Sequence, residues 1–439
     1  MKEDIHDLIG VGIGPFNLGL AALIDGTEDV EAIFFEQELE FDWHPGMMLE
    51  KMNLQVPFLA DLVTFADPTS PYTYLNYLHH QNRLFPFFFH SEFKAPRQEY
   101  NDYLQWVAER LNGLYFGHEV VDLIDHDGED HPYYEVVVKK RTTGETLSWF
   151  SRHVVIGTGS DPLLINGMER LPNEDVLHTS RYLFERENLL KAKHVTVVGS
   201  GQSAAEVFLD LLKEQERQDM HLSLLTRSGG LFQIDTAKFA QEFFTPDYVD
   251  YFYSLDYTQR KDTLDILDPL RKGIDPDTLK ELYDTLYHKS VGHKETNVRI
   301  QPMIDVEDIT ARNGKYILTC HQWQEGKRFD YETDKVVLGT GYHPHIPQWL
   351  IDRFGDQVEW EGEGDLKVSR DYRLVFQDNR DHHVFMLTDL VHSHGAGATN
   401  LGLSVNRNVH IVNSIAGREV YENQRQNAFQ QFSAKDEHE

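Results

Sequence analysis

One cysteine, Cys320, is all that 439 residues contain. A lone thiol closes no internal disulfide and builds no multi-cysteine metal cluster, and its rarity agrees with a reducing compartment. It also takes a redox-active cysteine pair out of the available chemistry. Long apolar runs are lacking as well. The hydrophobic stretches fall short of the roughly 20 residues that cross a bilayer as a helix, so no membrane span is expected. Basic residues are in deficit, 41 against 72 acidic, for a formal net charge of -31. Such a balance disfavours nucleic acid and anionic lipid as partners. It favours cationic ones, although acidity spread over a surface also serves solubility alone. No charged-then-apolar leader precedes the strand-like Leu8-Ile9-Gly10-Val11, and a cytoplasmic location is the expectation.

What the chain does contain is one unit written twice: an apolar strand, a glycine turn and an Ala/Leu-rich helix. In the first copy, Gly12 permits the tight bend and Gly14 lets the backbone approach a pyrophosphate. Pro15 opens a helix whose N-terminal amides face the anion. Asn17 stands where a third glycine is usual. The next strand ends in Glu36, a carboxylate placed to accept bonds from ribose hydroxyls. The second copy carries Gly199, Gly201, Gln202, Ser203 and Ala204. Its following strand, 222–226, ends in Arg227-Ser228 rather than an acid. A guanidinium beside a hydroxyl suits a 2′-phosphate, which points to NADPH over NADH, the alternative being a solvated loop cation. Two dinucleotide sites in one chain suggest a flavin, FAD, reduced by a nicotinamide cofactor. Without a cysteine pair, dioxygen or a separate acceptor protein is left as the electron sink.

The expected architecture is α/β: two Rossmann-like dinucleotide-binding domains, for FAD and NADPH, with a small helical substrate-binding insertion. Residues 1–168 form the first part of the FAD domain and 169–232 the first part of the NADPH domain. The helical insertion covers 233–290. The NADPH domain resumes over 291–334 and the FAD domain over 335–424, where Lys335-Val336-Val337-Leu338 and Gly339-Thr340-Gly341-Tyr342 repeat the strand and turn that end in Gly157-Thr158-Gly159. Residues 425–439 are expected to be a flexible tail.

Several longer words sharpen this reading: Gly12-Ile13-Gly14-Pro15-Phe16-Asn17-Leu18, Phe41-Asp42-Trp43-His44-Pro45-Gly46-Met47-Met48, Asp67-Pro68-Thr69-Ser70-Pro71-Tyr72, Phe244-Thr245-Pro246-Asp247-Tyr248 and Gly339-Thr340-Gly341-Tyr342. With them the chain resembles the microbial flavin-dependent N-hydroxylating monooxygenases that begin hydroxamate siderophore synthesis from lysine, ornithine or diamines. The likeness covers nearly the whole length. It implies that Trp43, His44 and the loop to Met47 lie against the flavin, and that Gly341 and Ser404 belong to cofactor-binding segments. It further implies that Gln55 sits close to both isoalloxazine and substrate, positioning rather than carrying protons. Gln241 stands near the reacting amine where many members have Asn or Asp. The implied oxidant is a C4a-hydroperoxyflavin attacked by a neutral amine, and the implied assembly is a homo-oligomer, dimer or tetramer.

One departure directs the substrate expectation. Members that use amino acids typically read Phe-Leu-Lys-Asp-Leu, whose lysine holds the substrate carboxylate; here the words are Phe58-Leu59-Ala60-Asp61-Leu62. Loss of that charge-assisted bond is worth about 1.5–3 kcal/mol. The expected substrate is therefore a primary diamine, namely cadaverine, putrescine or 1,3-diaminopropane, together with O2. Lysine or ornithine N-hydroxylation is the alternative if a cation of the insertion, such as Lys289, replaces the missing one. A carbon- or sulfur-oxidising flavin monooxygenase and a flavin-holding sensor are further alternatives. Asp235, Asp247, Asp250 and Asp256 are candidate attractors for a second ammonium. His382-His383 and His392-Ser393-His394 lack the helical spacing of a metal motif, and no metal site is expected.

Overall fold

A computed structural model describes residues 5–434 apart from 129, 130, 216, 218 and 363. Its first sheet runs in the order Leu114–Phe116, Ala32–Glu36, Ile5–Val11, Thr146–Ile156, Tyr133–Lys140, His118–His126. The first four strands are parallel, the last two antiparallel, and Val384–Met386 adds in parallel to the end of Thr146–Ile156. The second sheet is parallel throughout, in the order Val176–His178, Lys335–Leu338, His194–Val198, His221–Thr226, Val298–Pro302. Near-continuous apolar runs such as Val195-Thr196-Val197-Val198 suit strands covered on both faces. The helix Gln202–Glu214 packs on one face of this sheet, and the antiparallel strands Ile304–Arg312, Lys315–Gln322 and Lys327–Thr333 cover the other.

In each sheet the strand before a glycine turn lies where strand order reverses, Ile5–Val11 between Ala32–Glu36 and Thr146–Ile156, and His194–Val198 between His221–Thr226 and Lys335–Leu338. Open α/β sheets bind ligands at such switch points, in the crevice beyond the strand ends.

Three sequence expectations need correcting. Lys335–Leu338 does not return to the first sheet; it bonds to strands on both sides in the second. An apolar strand followed by Gly-Thr-Gly reads alike in either sheet. The chain crosses back only at Tyr342–Pro344, which pairs with Ser160–Pro162. The insertion is not one helical body. Pro246–Ser254 and Tyr257–Ile266 pack toward Val391–His394, while Pro276–Ser290 lies along Gln202–Glu214 and gives Leu282 to that core. Finally, the polar tail is tied to the insertion as far as Phe432. The Asp247 carboxylate accepts backbone N–H groups of Gln426, Asn427 and Ala428, and Phe432 meets Phe243 and Tyr248 at 5.5 and 4.9 Å. Tertiary partners supplied by the insertion, invisible in local composition, order it; 435–439 lie outside the described residues. Among the described residues no helix is long and apolar enough to cross a membrane.

Candidate active site

At the first turn Gly12 has φ +84°, and an added Cβ would lie 2.5 Å from the Gly157 carbonyl oxygen. Gly14 is the extended N-cap of the helix Pro15–Asp25, with no side chain capping that end and nothing within 4 Å of an added Cβ. The helix thus offers uncapped amides to open space, a cradle fit for an anion. Glu36 stands beside it, its carboxylate accepting Ile13 N–H at 2.8 Å and Glu38 N–H at 2.9 Å.

The second turn repeats this plan. Gly199 has φ +144° with an added Cβ 2.3 Å from the Gly339 carbonyl oxygen, and Gly201 is an uncapped N-cap facing open space. At its lip Ser228 Oγ meets Ser200 Oγ at 2.7 Å, and Arg227 is exposed, its carbonyl held by Trp323 Nε1. Both donor sets fit dinucleotide phosphates.

Two residues expected at the cofactor have buried side chains that bond to backbone carbonyls. Asn17 is buried, and its amide donates to the Val11 and Gly12 carbonyls at 3.1 and 2.7 Å while packing on Gly157. It braces the turn from behind. Ser404 is buried within the helix Leu401–Ala416, its hydroxyl donating to the Leu401 carbonyl at 2.5 Å. Thr399, Asn400 and Leu401 present that segment to the cleft instead.

Between the two domains and the insertion lies a cleft of about 470 Å³. The first domain lines it with Trp43, His44 and Gln55, the second with Gln202 and Ser203, the crossover strand with Tyr342, and the insertion with Asp235, Gln241, Phe244 and Arg271. Gln55 is exposed on the strand Asn53–Pro57, and Gln241 is exposed at the rim with its amide donating to the Asp235 carbonyl at 3.1 Å. Trp43 is held by its backbone N–H to Asn101 Oδ1 at 2.9 Å and meets Tyr100 edge-on. His44 occupies the left-handed region at φ 54°. Its ring opens onto the cleft, yet the surrounding protein and then the Arg97 guanidinium hold its pKa below the ordinary histidine value. Nearby, His178 is buried and pushed down to about 4 by desolvation. As a neutral ring it donates from Nε2 to the Gly341 carbonyl (3.1 Å), accepts Ser180 N–H at Nδ1 (3.2 Å) and supports Tyr342 edge-on.

Sequence reasoning missed what locks these parts together. Arg97 grips buried Glu206 through two bonds, 2.9 and 2.7 Å, and donates to the Met47 carbonyl at 2.9 Å. Gln202 Nε2 donates to the same Glu206 and to Thr278 Oγ1, while its Oε1 accepts Asp275 N–H at 2.8 Å. So the Gln202 side chain joins the second turn to the insertion rather than standing free for a cofactor. Lys94 bonds Asp275 across the domains at 2.6 Å. Such pairings join residues far apart in the chain, and no local pattern announces them.

Ala60 does not line the cleft. It is buried, its carbonyl accepting the Tyr100 hydroxyl, in a turn organised by Asp61, which accepts N–H groups of Val63, Thr64 and Tyr74. Lys289 lines a separate groove. Of the four aspartates, Asp250 bonds Arg370, Asp256 caps a helix and Asp247 holds the tail; Asp235 remains at the cleft. His382 Nε2 bonds Asp125 at 2.6 Å and His394 stacks on Tyr372. Among the described residues no three His, Cys, Asp or Glu converge on a possible metal position.

The profile of the L-lysine 6-monooxygenase/L-ornithine 5-monooxygenase family matches residues 4–344. The putrescine N-hydroxylase of Shewanella oneidensis is 36% identical over 99% of this chain and 85% of its own length. The FAD-bound cadaverine monooxygenase of desferrioxamine biosynthesis from Erwinia amylovora superposes with a TM-score of 0.93 at 36% identity, covering 99% of this chain and 100% of that one. An ornithine N-hydroxylase of Kutzneria, with reduced FAD, NADP+ and L-ornithine, gives 0.88 at 27% identity over 94% and 99%.

Proposed function

The chain belongs to the L-lysine 6-monooxygenase/L-ornithine 5-monooxygenase family, and within it we propose that it is an FAD- and NADPH-dependent N-hydroxylase of a primary diamine, acting at the first step of hydroxamate siderophore synthesis. The overall change is RNH2 + O2 + NADPH + H+ → RNHOH + NADP+ + H2O. Gly12, Gly14, Pro15 and Glu36 would hold FAD, with Trp43, His44 and Gly341 along its path. Gly199, Gly201, Ser203 and Arg227 would hold NADPH. Bound together, the two cofactors supply the reducing equivalents and activate dioxygen.

The chain's own task is to present a neutral nitrogen in a closed space, against a free amine pKa of about 10.4. Gln55, a neutral hydrogen-bonding side chain on a rigid strand, positions the amine. His44, whose pKa is lowered by the surrounding protein and then by Arg97, disfavours a cationic charge at the cleft. Gln241 at the rim bounds the substrate.

The observation that carries the diamine reading is the 36% identity with the putrescine and cadaverine enzymes; Ala60, buried behind the cleft where members using amino acids have a lysine, agrees with it. Asp235 at the cleft gives a distal ammonium a carboxylate. A specific observation favours the second reading, an amino acid: Arg271 lines the same cleft. Hydroxylamine formation from cadaverine, putrescine, 1,3-diaminopropane, lysine and ornithine separates them. At least one diamine is expected to exceed both amino acids by roughly 10-fold or more in kcat/KM, the size of one charge-assisted contact. Preference for lysine or ornithine would refute the diamine reading and leave the family intact.

We also infer a homo-oligomer in the cytoplasm, where NADPH is regenerated. The helix Leu84–His90 supports the assembly. Phe87 turns inward, edge-on to Phe58, while Phe85, Phe88 and Phe89 stand 76%, 71% and 74% exposed and touch one another. An aromatic knob of this kind on so acidic a chain suits burial against another copy. Replacing all three by serine is expected to shift the mass seen by light scattering to one chain without lowering kcat. An oligomer that survives would place the interface elsewhere.

A further inference from the structure

The cleft carries cations whose partners differ. Arg97 is bound to Glu206, and Lys272 to Asp268 at 2.6 Å. Arg271, partly buried, makes no side-chain hydrogen bond and no ion pair within 4 Å among the described residues. Asp268, already engaged by Lys272, acts on it only through space. The cleft's carboxylates, Asp235 and Asp275, form no ion pair with it within 4 Å, so this half-buried guanidinium has lost hydration without gaining a bonded partner, and burial lowers its pKa. It repels a diamine's ammonium and calls for an anionic group.

Its position indicates which anion. The backbone just beyond it is stitched to both halves of the second nucleotide turn. Ile274 N–H donates to the Phe232 carbonyl and the Ile274 carbonyl accepts Ile234 N–H, tying the segment to the stretch that follows Arg227 and Ser228. Asp275 N–H donates to Gln202, the first residue of the helix whose uncapped N-terminus faces the cleft. Arg271 thus lies on a segment tied to the start of that helix and lines one cleft with Gln202 and Ser203, whereas the turn of Ala60 lies outside the lining.

We propose that Arg271 is a phosphate clamp for the pyrophosphate of the nicotinamide dinucleotide, carried into the site by the insertion, rather than the counter-ion of a substrate carboxylate. This rests on the NADPH reading of the second turn. Occupation of the clamp would keep the insertion seated against the second domain while the nucleotide is bound.

The test is equilibrium binding of NADP+ and NAD+ to the FAD-loaded protein by calorimetry, without turnover, for wild type, Arg271→Gln, Arg271→Lys and Arg227→Gln. Arg271 has no side-chain bond to lose among the described residues, so Arg271→Gln should keep its melting curve and flavin spectrum. Expected is an equal loss of affinity for both nucleotides in Arg271→Gln, roughly 10-fold or more, with partial recovery in Arg271→Lys. Arg227→Gln should weaken NADP+ alone. Unchanged nucleotide affinity in Arg271→Gln overturns the clamp, and a raised KM for lysine in that variant would identify a substrate carboxylate as the partner instead. If wild type binds neither nucleotide, the reading of the second turn falls with it, an outcome distinct from failure of the clamp alone.

Discussion

Glu206→Ala is expected to destabilise the protein by about 3–5 kcal/mol, because it leaves the Arg97 guanidinium in a largely closed site without its partner. Glu206 is 1% exposed and Arg97 13%, so little water is at hand to take over. Function should suffer beyond the loss of stability. Arg97 also holds the Met47 carbonyl, and Gln202 shares the same carboxylate. The Trp43 to Met47 loop and the start of the second nucleotide helix therefore lose one common anchor. Chemical denaturation and kcat/KM measured on the single variants and on the double variant Arg97→Met/Glu206→Leu distinguish the parts. The double variant should recover much of the stability, as replaced buried ion pairs often do, and little of the activity. Recovery of both would show that the pair serves folding alone.

Two glycine substitutions should separate the cofactors. Gly12→Ala places an L side chain at φ +84° with its Cβ 2.5 Å from a backbone oxygen, and the Gly157 segment has to move. The left-handed conformation alone costs about 1–2 kcal/mol, before that displacement. FAD retention through gel filtration is expected to fall at least roughly 10-fold in affinity. Gly199→Ala, whose Cβ would stand 2.3 Å from the Gly339 oxygen, should keep the flavin and instead raise the apparent Kd for NADP+. The readouts are flavin absorbance per chain and nucleotide titration. Loss of flavin in both variants, or in neither, would contradict the assignment of one turn to each cofactor.

Much of the site was legible because its chemistry lies in contiguous words. Gly12, Gly14, Gly199 and Gly201 stand where a strand-turn-helix needs them, and both turns fall at switch points. Trp43, His44, Gln55 and Gln241 do meet in one cleft. The misplacements share a cause. Asn17 and Ser404 lie inside recognisable words, yet their side chains turn inward to satisfy backbone carbonyls. Lys335–Leu338 has the composition of a buried parallel strand, and composition does not say which sheet buries it.

By itself the sequence determined the local geometry: which residues turn, which strands are apolar on both faces, where helix ends are left open to anions, and that position 60 lacks a cation. These follow from φ preferences, side-chain size and charge, which act within a few residues. Tertiary structure alone decided that Arg97 meets Glu206, that the tail folds onto the insertion, that the insertion divides between two domains, and that Arg271 rather than Lys289 reaches the cleft. Each of those depends on which distant segments share a buried space. Desolvation and pairing energies are set there, between residues the chain order keeps far apart.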